Sequence, residues 1–170
     1  VNSRELLEVT RVDDVVIIRF NRPEKLNALN LELWMLLEST LAKECFGNSR
    51  ALIITGSGKA FSAGDDIGAM LGLSSLEEAL EFFKVLRRAF EILAICPKPV
   101  IAAVNGLAAG GGAEMLLLVD YVIAVSGSWI SFPEARLGLI PPILLIVGVD
   151  TLGLRLVRRL ALTGERVSVE

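Results

Sequence analysis

Apolar positions along the chain cluster into short runs of two kinds. Val15–Phe20 (VVIIRF) and Ala51–Thr55 (ALIIT) are nearly unbroken and rich in β-branched residues, the pattern of buried strands; the first reads as covered on both faces. Glu5–Thr10 precedes the first of these across a turn at Asp13-Asp14, so the chain opens with a predicted hairpin. Elsewhere the apolar positions recur at helical spacing. Asn30 can cap a helix over Leu31–Cys45 that stops at Gly47-Asn48. Ser74 and Ser75, each followed three residues on by Glu77 and Glu78, form overlapping capping boxes for a helix running to about Ile95, before Pro97 and Pro99.

Strands follow at Val100–Val104, broken by Asn105-Gly106, at Tyr121–Val125, and as a short one at Trp129–Phe132. Gly110-Gly111-Gly112 opens a helix expected to reach about Val119, and a last helix is expected over Leu152–Leu162, ending at Gly164. Strands alternating with helices predict an α/β protein with largely parallel pairing. No repeat, linker or low-complexity tract divides the 170 residues, so a single domain is expected. The final stretch LALTGERVSVE is strand-like or helix-entering with no closing element after it, which reads as an element packing elsewhere or as a chain truncated at its C-terminus.

Composition narrows the function. Hydrophobic residues make up 53% and charged residues 22% of the chain, which excludes disorder. There is no histidine, so Ser-His-Asp and Cys-His catalysis and every histidine metal site are excluded. Two cysteines, Cys45 and Cys96, are too few for a thiolate zinc site and do not resemble a secreted disulfide framework. A net charge of −3 gives no basic footprint for nucleic acid. Mean hydropathy is high at +0.60, yet the uncharged run Leu137–Val149 holds Pro141-Pro142 and is too short to span a bilayer. The N-terminal VNSRELLEVTRVDD has no apolar core of a secretory signal. A cytoplasmic globular protein with an unusually apolar surface is the expectation, and the absence of glutamine points weakly to a thermophilic source.

With histidine absent, acid–base chemistry falls to carboxylates, lysines and Tyr121. In VNGLAAGGGAEMLLLVD (104–120) the glycine trio places side-chain-free backbone at a helix start, where unpaired N–H groups can hold an oxygen that becomes negative. Glu114, one turn after Gly111, can share that face. The same spacing serves equally for close helix–strand packing with a first-turn carboxylate. In FSAGDDI (61–67), Gly64 permits a tight turn that exposes the Asp65 amide, or the segment is an ordinary loop with Asp65 or Asp66 as a cap. In FPEARLGLIP (132–141), Glu134 lies in apolar surroundings that raise a carboxylate's pKa and suit a general acid. Its alternative is a salt bridge to Arg136, Arg155 or Arg158.

Taken together and in this order, these stretches resemble the enoyl-CoA hydratase/isomerase family, the crotonase superfamily, and most nearly its enoyl-CoA hydratases. NRPEKLNALN (21–30), ALIITGSGKAFSAGDDI, KPVIAAVNGLAAGGGAEMLLLVDYVIA, FPEARLGLIP and LALTGERVSVE each match a family stretch. The resemblance covers essentially the whole chain. It implies a crotonase-like fold of stacked ββα units, here without the C-terminal helical part that members usually carry. It implies an acyl-CoA thioester whose carbonyl is held by the amides of Asp65 and Gly111, an oxyanion hole that stabilises an enolate. Glu114 and Glu134 would then be the catalytic pair that adds water to a 2-enoyl-CoA. Substrate contacts are implied at Lys25, Asn27, Ala28, Ala63, Asp65, Asp66, Ile67, Gly68, Gly110 and Gly111. No metal or redox cofactor is implied, coenzyme A being part of the substrate. The family also implies fatty acid metabolism such as β-oxidation, and a homotrimer or dimer of trimers.

Retention of both glutamates favours hydration. Double-bond isomerisation, thioester hydrolysis and a non-catalytic acyl-CoA-binding subunit are the alternatives. Dinucleotide binding is disfavoured, because AAGGGAE is not GxGxxG. Three positions depart from the family pattern. Asp65 is acidic where a small or apolar residue is common, and its carboxylate is expected to point away from the glutamates, because like charges in a poorly solvated site repel strongly. Pro141-Pro142-Ile143-Leu144-Leu145 replaces a glycine-rich run, so the amide at position 142 is lost. The usual last third is missing, which leaves apolar surface uncovered.

Overall fold

The computed structural model describes residues 5–170. The first four residues of the segment expected to lack a secretory signal lie outside the described residues. β1 (Leu7–Val12) and β2 (Val15–Phe20) form the opening hairpin, with Val12 opposite Val15 across Asp13-Asp14. Asp13 has φ 51°, a left-handed conformation that a short polar side chain tolerates. β2, β3 (Ala51–Gly56), β5 (Val100–Val104) and β7 (Tyr121–Ala124) continue the sheet in parallel, in the order β1-β2-β3-β5-β7. In β2 one face, Val16, Ile18 and Phe20, is fully buried. The other, Val15 and Ile17, is only half-buried, so the strand is less completely covered than its apolar run predicts.

A second, smaller sheet went unread in the sequence apart from its third strand. β4 (Ala60–Ser62), β6 (Leu107–Ala109) and β8 (Trp129–Ser131) run parallel to one another, and β9 (Val167–Ser168) closes the edge antiparallel to β8. Each short strand follows a long one through a tight loop, so β3-β4, β5-β6 and β7-β8 are stacked units, as expected for the fold. The strand-like end of the chain is therefore β9, which packs on β8.

α1 (Leu31–Cys45) starts at Asn30, whose side chain accepts from the Leu33 amide at 3.0 Å. α2 (Ile67–Leu71) is a short helix capped by Asp66, the second of the two caps expected in this segment. α3 (Leu76–Ala94) starts at Ser75, and the Glu78 carboxylate reaches back to the Ser74 amide at 2.7 Å, so the two overlapping boxes merge into one cap. α1 buries Leu33, Trp34, Leu37 and Leu41, and α3 buries Phe82, Val85, Ala89, Phe90 and Leu93. Trp34 and Phe90 meet edge-to-face at 5.3 Å, a geometry aromatic quadrupoles favour. Cys45 and Cys96 pair as a disulfide between the end of α1 and the segment after α3.

One helix expectation is corrected and another is adjusted at its start. α4 (Gly111–Met115) ends four residues short of Val119, because Leu116, Leu117 and Leu118 donate to carbonyls only three residues back and tighten the chain out of the α-helix. The helix expected at Leu152–Leu162 is α7 (Leu154–Thr163), ending at Gly164 as read; it begins two residues later because Gly153, at φ 81°, separates it from an unread short helix, α6 (Gly148–Leu152). α5 (Pro142–Ile146) precedes them. No helix among the described residues is long and apolar enough to cross a membrane. The accessible surface is 9415 Å², above the roughly 8,100 Å² that size scaling gives for a compact chain of this mass. Tyr121, Ile123 and Val125 along the β7 edge, with Ile140, Ile146 and Leu162, are among the exposed apolar residues.

Candidate active site

The second sheet explains why the three chemistry-bearing loops meet. β4, β6 and β8 are parallel neighbours, so their C-terminal ends lie at one edge. Ala63-Gly64-Asp65, Gly110-Gly111 and Pro133-Glu134 leave from those ends. Gly64, at φ 84°, presses directly on the second loop: a Cβ there would lie 2.6 Å from the Ala109 carbonyl oxygen and 3.1 Å from the Gly111 nitrogen. Only glycine permits both that conformation and that approach.

The two candidate oxyanion amides arise from different local geometry. Asp65 forms an isolated parallel bridge with Leu29. The bridge bonds join the Leu29 amide to the Gly64 carbonyl at 2.8 Å and the Asp66 amide to the Leu29 carbonyl at 3.0 Å. In a parallel ladder the intervening residue's own N–H points the other way, so that of Asp65 is left over. Gly111 opens α4, and the first amides of a helix have no partner within it. Neither N–H donates to another group among the described residues.

Asp65, Glu114 and Glu134 line a cavity of about 250 Å³ with Met70, Phe83, Leu86, Leu139, Ile140 and Pro142. A smaller adjoining hollow of about 60 Å³ brings in Ala63, Ile67 and Gly110. Glu134 Oε1 would lie 3.1 Å from a Cβ on Gly110, and its Oε2 is buried without a hydrogen-bond partner. Its expected alternative does not form: among the described residues Glu134 makes no ion pair with Arg136, Arg155 or Arg158, and Arg136 donates to the Thr163 carbonyl. Glu114 is 4% exposed, and its Oε1 accepts from the Ile143 amide at 2.7 Å and the Leu144 amide at 3.2 Å. Pro142 is the first residue of α5, where a missing N–H costs little, and the next two amides hold the carboxyl.

Burial pushes Glu114 up to about 8, against its two amide bonds, with the Glu134 and Asp65 charges adding to the rise. Burial also raises Glu134, again with Asp65 contributing. Burial lifts Asp65 to about 6, although its hydrogen bond from Trp34 Nε1 at 2.8 Å lowers it. The expectation that the Asp65 carboxylate points away is thus corrected. It lines the same cavity, and the repulsion is met by raised proton affinity and an indole donor.

The remaining sequence candidates hold the loops rather than face the cavity. Asn27 is fully buried at φ 55°; its Oδ1 accepts from the Arg22 amide and its Nδ2 donates to the Ser57 and Ala60 carbonyls. Asp66 caps α2 and pairs with Arg22, which also donates to the Ala28 carbonyl. Lys25 is exposed on the 3-10 turn before it, and Gly68 is exposed on α2. Trp34 and Arg22 were missed: a tryptophan at helical spacing reads as core, and an arginine in a loop carries no distinguishing pattern.

The sequence profile of enoyl-CoA hydratase/isomerase matches residues 10–170. The chain belongs to the enoyl-CoA hydratase/isomerase family. It is 40% identical over 141 residues to the crotonyl-CoA hydratase of Syntrophomonas wolfei, covering 81% of this chain and 53% of that protein. It is 41% identical over 133 residues to a probable enoyl-CoA hydratase of Rhodobacter capsulatus, covering 76% and 49%. The fold matches the crystal structure of an enoyl-CoA hydratase/isomerase from Mycobacterium paratuberculosis with a TM-score of 0.92 at 31% identity, over 99% of this chain and 69% of that one. The chain spans about half the length of the curated relatives it matches. Within the family, the crotonase-like fold read from the sequence is the one observed.

Proposed function

We propose that the chain is an enoyl-CoA hydratase, adding water across the double bond of a 2-enoyl-CoA thioester. What supports this reading is that Glu114 and Glu134 line one cavity with Asp65, whose carboxyl lies within 4 Å of a Cβ built on Gly111, while the Asp65 and Gly111 amides donate to no other group among the described residues. The thioester oxygen accepts from both amides, which favours the negative charge it gains as the enolate forms. A water between the glutamates loses a proton to the ionised member as its oxygen bonds to Cβ. The protonated member gives its proton to Cα as the enolate collapses. The net change is one water added, and the pair ends with one proton, as it began. With raised pKa values and mutual repulsion the two titrate as a coupled unit sharing that proton.

Two acid–base groups support hydration over isomerisation, which needs one, and the Ile143 and Leu144 amides on Glu114 support a working site over a purely binding one. Lys25–Ala28 and the Asp65–Gly68 loop are proposed to face the CoA phosphates and adenine. Assembly as a homotrimer or a dimer of trimers belongs to the same reading, supported by the apolar β7 edge, and sedimentation tests it. The function is tested by following crotonyl-CoA, a 3-enoyl-CoA and a saturated acyl-CoA in parallel. Turnover of crotonyl-CoA that disappears in Glu114→Gln/Glu134→Gln while thioester binding persists is the expected result. Preference for either other substrate, or unchanged turnover in the double variant, overturns it.

A further inference from the structure

Hydration uses two carboxyl groups, yet three face this cavity. The third is held in place. Asp65 Oδ1 accepts from Trp34 Nε1 at 2.8 Å, and Trp34 is itself fully buried against Phe90, so the donor cannot swing away. A Cβ on Gly111 would meet Asp65 Oδ2 at 3.6 Å and Oδ1 at 3.8 Å. The carboxyl therefore lies over the glycine turn, beside the oxyanion amides.

The groups around it come from every packed element. α4 contributes Glu114 and the turn after β8 contributes Glu134; α1 contributes Trp34, while α2, α3 and α5 contribute Met70, Phe83 with Leu86, and Pro142. Arg22, the cation next to this loop, is taken up by Asp66 and the Ala28 carbonyl. The cavity wall thus carries three acids and neither lysine nor arginine. Among the described residues the three acids do not form a metal-binding group.

We propose that Asp65, pinned by the Trp34 indole, is a positioning residue that sets how many protons Glu114 and Glu134 share. Its catalytic meaning rests on the hydratase reading; its electrostatic effect does not. A negative charge on Asp65 disfavours a further negative charge on either glutamate. The indole N–H stabilises the charged form of Asp65 and opposes the effect of burial. Asp65 is therefore ionised above about 6 while Glu114 keeps its proton up to about 8. Between those values the site holds a charged Asp65 and an acid-form Glu114, the state in which a proton is ready for delivery.

The test is a carboxyl ¹³C NMR titration of the full chain without substrate, comparing the parent with Asp65→Asn and Trp34→Phe. Asparagine keeps an oxygen for the indole and removes the charge. The Glu114 midpoint is expected to fall in Asp65→Asn by about half a pH unit or more, and the Asp65 midpoint to rise in Trp34→Phe. An unmoved Glu114 midpoint in folded Asp65→Asn overturns the proposal. Should that variant not fold, an unmoved Asp65 midpoint in Trp34→Phe does so. Because no substrate is present, a failed hydration assay leaves this result standing. Where hydration is observed, the alkaline limb of kcat/KM moves with the Glu114 midpoint.

Discussion

Glu114→Gln separates the stability and catalytic consequences of one buried acid. Glutamine keeps an oxygen for the Ile143 and Leu144 amides and cannot ionise. In the parent, burial raises the Glu114 carboxyl from its ordinary 4.5 to about 8. The folded state therefore holds its proton more tightly than the unfolded chain does. The stability linked to that proton is fully present below 4.5 and is lost as pH rises through about 8. At about 1.4 kcal/mol per pH unit, the full loss is at most about 5 kcal/mol. Glu114→Gln does not undergo it. Urea unfolding at pH 5 and pH 9 should show the variant gaining on the parent by several kcal/mol at the higher pH, while turnover falls by about 10²–10⁴. An equal stability difference at both pH values refutes the claim that the folded site raises this carboxyl.

Other outcomes follow from the supports of the loops. Gly64→Ala places a Cβ 2.6 Å from the Ala109 carbonyl at φ 84°; it should cost about 1–3 kcal/mol of stability and, by parting the two amides, lower the rate about 10²-fold or more, read by chemical denaturation and steady-state kinetics. Asn27→Ala strips partners from the Arg22 amide and from the Ser57 and Ala60 carbonyls, and should lower unfolding free energy by about 2–4 kcal/mol. The Cys45–Cys96 link closes a separation of 51 residues. Reducing it should lower stability by about 2–4 kcal/mol in denaturation with and without reductant.

The long elements were legible because their signals are local. β2, β3 and β5 are apolar runs, Asn30 and Ser75 are caps, and each is where its pattern puts it. The three-residue strands β4 and β6 lie directly before the glycine turns at Gly64 and Gly110 and read as loop, so of the sheet that aligns the chemistry-bearing segments only β8 was legible. Glu114, Glu134 and Gly111 were reachable from glycine placement and from acids in apolar surroundings. The course of the Asp65 side chain was not. Coulomb repulsion argued for turning it away, but its outcome depends on an indole donated from α1, thirty-one positions earlier in the chain. The Glu114 anchor was equally hidden, because removing the amide at Pro142 draws attention from the next two amides, which do the holding.

The account is tested most directly by a crystal structure of the chain with a saturated acyl-CoA thioester. Its carbonyl oxygen should sit about 2.7–3.1 Å from the amide nitrogens of both Asp65 and Gly111, with the acyl Cα and Cβ between Glu114 and Glu134. A thioester bound with its carbonyl away from those two nitrogens contradicts it.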